Sequence, residues 1–296
     1  MMAGASRELF PTDRGLVARM VVAAVATPLV VLAALVAVVA VAPGRLVIGV
    51  GIAIAIGLYL VIQERVATVR AQELSPASAP ELHAAVERLC VIADLPKPKI
   101  VLEQERQPNS WIVATGRDRA RLHLTQGLVD RLEPRELEAV IAHELAHLAH
   151  RDAIVMTVVG GPGAVLLGGG SMLAGRWIWP LQLGGLIAAA IGWVASLGTQ
   201  ALSRYREFAA DAGAVALTGH PAVLASALMK VSDGVHGLPT RDLRVAAARD
   251  AFHLLPVARE RRLTATHPSL KARIAKLERM EARLQSARPA LSDPAR

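Results

Sequence analysis

His143 and His147, with Glu144, Leu145 and Ala146 from the first to the second, are the residues of this sequence whose types and spacing fit catalysis. Residues four apart share one face of a helix, so on helical backbone the two imidazoles aim at a common point. Neutral imidazole suits Zn²⁺, and two histidines leave room for one more protein ligand and a water, the open arrangement of a catalytic zinc. Glu144, beside the first histidine, is placed to accept a proton from that water. The chemistry implied is metal-assisted peptide hydrolysis with one Zn²⁺ per chain.

Such a pair works only on a helix, and the flanking sequence supplies one. Pro134 suits a first helical turn, and Leu137, Val140, Ile141, Leu145 and Leu148 recur at helical spacing, so Pro134 to Asp152 reads as one amphipathic helix. His150 falls off the face of His147 and reads as a helix-end residue favoured by the dipole.

The remaining composition says where this helix operates. The chain has 296 residues, 53% of them hydrophobic, and a mean hydropathy of +0.40 with few aromatics. The excess lies in long runs of Ala, Val, Leu, Ile and Gly, which points to a membrane protein. The single cysteine, Cys90, excludes an intramolecular disulfide and fits a reducing compartment. The net charge of +8 comes without interleaved aromatics and flanks apolar spans, so the partner it suits is a lipid bilayer rather than nucleic acid.

In chain order, residues 1–19 are a short polar cytoplasmic segment. Met20 to Ala42 is uncharged and long enough for a hydrocarbon core about 30 Å thick, and too long for the apolar part of a signal peptide. After Pro43-Gly44, Leu46 to Ile62 forms a second span, giving a first transmembrane hairpin over 20–62. Residues 63–80 turn polar and form a linker. Within 81–152, Glu81 to Ala93 reads as a helix, and Lys99 to Leu102, Trp111 to Ala114 and Arg121 to Thr125 as short strands, the last two joined by Thr115-Gly116-Arg117-Asp118.

This small sheet precedes the metal helix. An edge strand beside a peptidase centre can hold extended substrate by strand addition, which makes Asn109 to Thr115, Trp111 included, the candidate substrate shelf; the alternative is a hairpin that only caps the helix. Residues 153–202 form a second hairpin, Ala153 to Ala174 and Trp177 to Leu202, with glycines suited to close helix packing; the alternative is a hairpin lying against the catalytic domain or only partly inserted. Residues 203–284 return to the catalytic part, with helices over Ser203 to Leu217, Pro221 to Ser232 and Leu270 to Leu284, and Asp233 to Leu263 irregular. Gly219 is the C-cap of the first of these. Residues 285–296 are a disordered tail. In this layout only Arg45 and Arg176, of 33 Lys and Arg, fall in the two far-side loops, so the catalytic part faces the cytoplasm.

The third ligand must come from another helix. Glu207 is the candidate, because Ser203 to Asp211 begins where the chain leaves the fourth span on the side of the metal helix. Glu207 and Asp211 share a face, so one can bind zinc while the other accepts an imidazole N–H and fixes its tautomer. The alternative is surface pairing with Arg204 and Arg206.

Two apolar spans, Asn109-Ser110-Trp111, HELAH, an apolar hairpin, S-R-Y-R-E-F-A-A-D over 203–211, and finally Thr266-His267-Pro268-Ser269 with Arg273-Ile274 together resemble the HtpX-like membrane zinc endopeptidases, relatives of the CAAX prenyl proteases. The resemblance runs from Met20 to about Leu277. It implies His143, His147 and Glu207 as zinc ligands, Glu144 as general base, and Asp211 as the carboxylate behind a ligand. It also implies Asn109 facing substrate backbone. His267 matches a position near the family's active site and would stabilise an oxyanion, or is a turn histidine before Pro268.

The fold implied is a mainly α integral membrane protein, four transmembrane helices plus a zincin-like α+β catalytic domain with a small β-sheet. The partners implied are protein or peptide substrates, membrane proteins among them, and the function is quality control of misfolded membrane proteins at the cytoplasmic membrane. A dedicated processing peptidase of the CAAX type keeps the same chemistry. A sensor peptidase would need a receptor domain that loops of a few residues do not provide. A zinc-stabilised scaffold without catalysis would have no use for Glu144. The metzincin pattern is excluded, since its Gly and His positions hold His150 and Ala153.

Overall fold

The computed structural model describes residues 14–69, 72–114, 120–176, 178–236 and 268–291. They divide into two compact units: the described residues of Asp13–Ala71 and Ile154–Ser203 in one, and those of Gln72–Ala153 and Arg204–Arg296 in the other.

The first unit is helical. Helix α1, Arg14–Val41, and helix α2, Gly44–Val69, are separated only by Ala42 and Pro43. Helix α2 runs beyond the apolar stretch into residues expected to be linker. Gln63, Glu64 and Arg65 are good helix formers, so losing hydrophobicity does not end the helix. Helix α6, Asp152–Ala174, and helix α7, Trp179–Thr218, supply the other long segments.

Four of these stretches are long and apolar enough to cross a bilayer: Ala18–Val41, Gly44–Gln63, Val155–Ala174 and Trp179–Thr218. Their exposed residues are apolar too, Val22, Leu32 and Val39 among them, which suits contact with lipid. Close backbone approach accompanies a core of Val31, Val50, Leu166 and Leu173 inside this unit. A Cβ on Gly169 would stand 1.7 Å from the Ala53 carbonyl oxygen of α2, and one on Gly192 would stand 2.5 Å from the Leu167 nitrogen of α6. Small residues at such crossings let backbones touch where water supplies no driving force.

The second unit holds the sheet. Strands β1 (Lys99–Glu103), β2 (Ser110–Ala114) and β3 (Ala120–Thr125) lie in the order β1-β3-β2, with β1 parallel and β2 antiparallel to β3. Ile100, Leu122 and Leu124 are buried on one face, in a core shared with Val86 and Leu89 of helix α3 (Pro80–Ala93) and Ile141 and Leu145 of helix α5 (Pro134–Ala149). Leu224 and Leu228 of helix α8 (Pro221–His236) and Leu277 of helix α9 (Leu270–Leu291) complete it.

Helix α4, Gln126–Arg131, was not expected; it forms because Thr125, the last residue of β3, caps it by accepting the Leu128 N–H at 3.2 Å. Helix α5 starts as its sequence suggests, with Pro134 in its first turn and a capping box between Glu133 and Glu136.

Three expected boundaries are corrected. Helix α5 ends at Ala149, not Asp152, because Arg151 adopts a left-handed conformation, φ +55°, and Asp152 opens α6 instead. Ser203 to Leu217 is not a separate helix, since no residue from Gln200 to Phe208 breaks helical backbone and α7 continues for 40 residues to Thr218. It stops at Gly219, whose φ is +73°. Helix α9 passes Ser286 to Leu291, with Gln285, Ala287 and Arg288 favouring helix and Pro289 falling only in its last turn. The turn 115–118, most of Asp233 to Leu263, and residues 292–296 lie outside the described residues.

The Gly169 approach carries a prediction. Gly169→Ala should destabilise the protein by about 1–3 kcal/mol through overpacking. Gly51→Ala, where nothing lies within 4 Å of the added carbon, should be neutral or slightly stabilising. Thermal unfolding of both variants in detergent checks this, and equal stability would show that the approach relaxes freely.

Candidate metal centre

Helix α5 aims both histidines inward, and the helical repeat brings their rings edge to face, 4.7 Å between centroids. Their Nε2 atoms stand 3.1 Å apart. Helix α7 brings Glu207 to the same place, one carboxylate oxygen 3.6 Å from His143 Nε2 and the other 3.6 Å from His147 Nε2. One donor atom from each of the three can be chosen so that all lie within 4.8 Å of one another. Ligand atoms bound about 2.0–2.1 Å from one tetrahedral ion are about 3.3 Å apart. The spacing observed is therefore that of a set able to share an ion.

The opposite edges of the rings explain why the Nε2 atoms are available. His143 Nδ1 is 3.0 Å from Asp211 Oδ1, and His147 Nδ1 is 2.5 Å from Asp152 Oδ2. A carboxylate can only accept, so both protons belong on Nδ1 and both Nε2 lone pairs turn toward the gap. Two lone pairs and a carboxylate at this range repel unless a cation lies among them. Charge agrees. Glu144, Asp152, Glu207 and Asp211 are buried, and among the described residues Arg206 and Arg273 are the buried cations beside them; counted as ionised, the six leave two negative charges, the amount one divalent cation neutralises.

The two guanidiniums fix the carboxylates. Arg273 on α9, fully buried, grips Asp211 with two bonds, Nε to Oδ2 at 2.9 Å and Nη2 to Oδ1 at 2.6 Å, and sets Nη1 3.2 Å from Glu207. Arg206 on α7 holds Asp152 at 2.7 Å. Glu207 and Asp211 are thus not surface carboxylates; they are 5% and 0% exposed. Asp152, Arg206 and Arg273 were missing from the sequence reading as site residues. Asp152 falls five positions after His147, off its face on a continuous helix, and reaches the ring only because Arg151 turns the chain.

Glu144, 4% exposed, accepts a hydrogen bond from Ser110 Oγ at 2.7 Å. Ser110, between Asn109 and Trp111, is thus joined directly to Glu144. The Asn109 residue is 4% exposed; its N–H donates to Thr125 Oγ1 at 2.8 Å and its carbonyl accepts from the Thr125 N–H at 3.0 Å. Trp111 is half-buried and stacks on His123. His150 is the C-cap of α5. His267 lies outside the described residues.

Burial disfavours charge on both imidazoles. For His143 the hydrogen bonds of Asp211 and Glu207 outweigh that cost and raise its pKa to about 9. His147 is buried and faces a charged neighbour, and falls to about 4. Without a metal the pair therefore carries, at neutral pH, one proton beyond the two on Nδ1, and it sits on His143.

A model of peptidase family M48 matches residues 76–281. Protease HtpX homolog 2 of Methanosarcina mazei is 40% identical over 230 residues, covering 72% of this chain and 77% of that protein. Protease HtpX homolog 1 of Streptomyces coelicolor is 36% identical over 296 residues, 94% of this chain and 97% of that one. The crystal structure of S. mikatae Ste24p aligns with 75% of this chain and 57% of its own at 17% identity, with a TM-score of 0.47.

Two outcomes are expected. Asp152→Asn and Asp211→Asn should each weaken zinc binding about 10- to 100-fold, read by chelator competition, because each ring loses its charged acceptor. Zinc must also displace the proton on His143, so below pH about 9 apparent affinity should fall as pH falls, and uptake at pH 7 should release about one proton. Calorimetry in buffers of different ionisation enthalpy measures that number, and a value near zero would contradict the shared-proton account.

Proposed function

Because the chain belongs to peptidase family M48, we propose that it is a zinc-dependent endopeptidase of the membrane, cutting peptide bonds of protein substrates. The convergence of His143 Nε2, His147 Nε2 and the Glu207 carboxylate at tetrahedral spacing, beside a buried Glu144, carries the reading. His143, His147 and Glu207 hold the metal, which when bound polarises the scissile carbonyl and acidifies a water.

The remaining roles fall to side chains. Ser110 occupies one oxygen of Glu144, which leaves the other to take the proton of the attacking water. Glu144 then passes that proton to the departing amine as the C–N bond breaks, so water is consumed, two peptide ends form, and no acyl-enzyme is made. Asp211 and Asp152 hold the ligand rings in the productive tautomer, and Arg273 and Arg206 keep those carboxylates in place. Asn109 and Trp111 belong to the substrate shelf, and His267 to oxyanion stabilisation.

The protein is multi-pass, and the concentration of Lys and Arg away from the Arg45 and Arg176 loops supports a catalytic part in the cytoplasm, at the cytoplasmic membrane. Membrane proteins are the substrates this location favours, in quality control.

Glu144→Gln should retain zinc and lose peptide cleavage by at least about a hundredfold, whereas His147→Ala should lose both. Metal analysis beside a protease assay on the purified full chain tests this. Undiminished cleavage by Glu144→Gln would refute the base assignment, and full activity after a chelator has stripped the metal would refute the metallopeptidase.

A further inference from the structure

The two faces of the small sheet carry different chemistry. Ile100, Leu122 and Leu124 face the core, and Ser110 and Ile112 lie on the same register lines, with Ser110 bonded to Glu144. Side chains alternate along a strand, so Trp111 and His123 lie on the opposite face. They are direct partners across the β2–β3 ladder, and their rings stack with centroids 4.8 Å apart and planes 11° from parallel.

That stack is anchored from behind. His123 is 1% exposed, and its Nδ1–H donates to Glu103 Oε1 at 2.9 Å across the β1–β3 pairing. Burial holds its pKa below the ordinary histidine range, so the ring is neutral and stacks as a flat, uncharged surface. A tryptophan pinned against a fixed ring has little rotamer freedom left to lose, and contact with it costs little entropy. Trp111 is only half-buried, unlike its partner His123.

Among the described residues β2 is an edge strand with β3 as its one neighbour. An extended peptide laid along it would pass Ser110 and therefore Glu144. Main-chain bonds in strand addition hold any sequence, and selection comes from pockets for alternate side chains. Resting on the peptidase reading above, we infer that Trp111 is a specificity residue. It forms an aromatic wall that selects a bulky apolar side chain at the one substrate position directly across from it, on the face opposite the metal centre. Glu103 and His123 are positioning residues that hold the indole in that pose. Chemistry and selection then occupy opposite faces of one strand and do not compete for space.

The test uses full-length protein in detergent and a set of fluorogenic peptides carrying Phe or Ala at each position in turn. In the wild type one position should favour Phe over Ala in kcat/KM by about three- to tenfold, the range an aromatic contact supports. Trp111→Ala should bring that ratio close to one at that position, and leave the ratios at its two immediate neighbours, which point to the other face, as in the wild type. Trp111→Phe should retain part of the preference. His123→Phe, which keeps a stacking ring but loses the Glu103 bond, should retain part of it, whereas His123→Ala should erode it further.

A Phe/Ala ratio unchanged in Trp111→Ala, or one that shifts equally at every position, overturns the inference. Affinities of the same peptides for zinc-loaded Glu144→Gln and Glu144→Gln/Trp111→Ala, read by fluorescence anisotropy, give the ratio independently of turnover. Loss of the peptidase reading, through wild-type protein that cleaves none of these peptides or cleaves them after a chelator has stripped its metal, is therefore visible separately from loss of the Trp111 preference.

Discussion

Two imidazole nitrogens 3.1 Å apart, with a carboxylate 3.6 Å from each, form an arrangement that holds only with positive charge among them. The surrounding side chains act to keep it so. Asp211 and Asp152 take the Nδ1 protons and thereby turn the Nε2 lone pairs inward, and Arg273 and Arg206 hold those aspartates. Each buried ion pair here is costly to desolvate, and such pairs bring little stability of their own. What they supply is position: removing any one partner leaves an uncompensated charge, so the arrangement is locked as a whole. A dication would complete the charge balance.

The chain reaches this geometry through an unusual division of labour. His143, Glu144 and His147 lie before the helices α6 and α7, and Glu207 and Asp211 lie in the last third of α7. Asp152, the first residue of α6, and Arg206, on α7 beside Glu207, bond to each other. Both ends of the inserted pair of helices thus carry site residues. The continuity of α7 through residues 200–208 means that Glu207 and Asp211 are presented by a long regular helix, which fixes them more narrowly than a loop would.

The three-stranded sheet contributes by alternation. Its core face packs on α5 and delivers Ser110 to Glu144, while its other face carries the Trp111–His123 stack and the Glu103 anchor. A short sheet can serve two ends because successive side chains of one strand point opposite ways. Thr125 adds a link between elements, since it caps α4 and its hydroxyl also engages the Asn109 backbone where β2 begins.

The sequence by itself determined the features that depend on local periodicity and composition. Helical spacing made His143 and His147 converge, and four apolar stretches declared their length. Alternation and turn residues marked the three strands, and Gly219 marked a helix end through its positive φ. The candidate third ligand, Glu207, was legible because it sits on a helix directly after a span and shares a face with Asp211. Contacts that depend on a break in the pattern, or on distant chain, were decided by tertiary structure. Asp152 meets His147 only because Arg151 is left-handed, which no spacing rule announces for an arginine. Arg273 meets Asp211 across 62 residues of sequence, and Ser110 meets Glu144 across 34. Such pairings are specified by the free energy of packing the whole core, in which a residue's partner is whichever charge ends up beside it, and no single stretch of sequence contains that information.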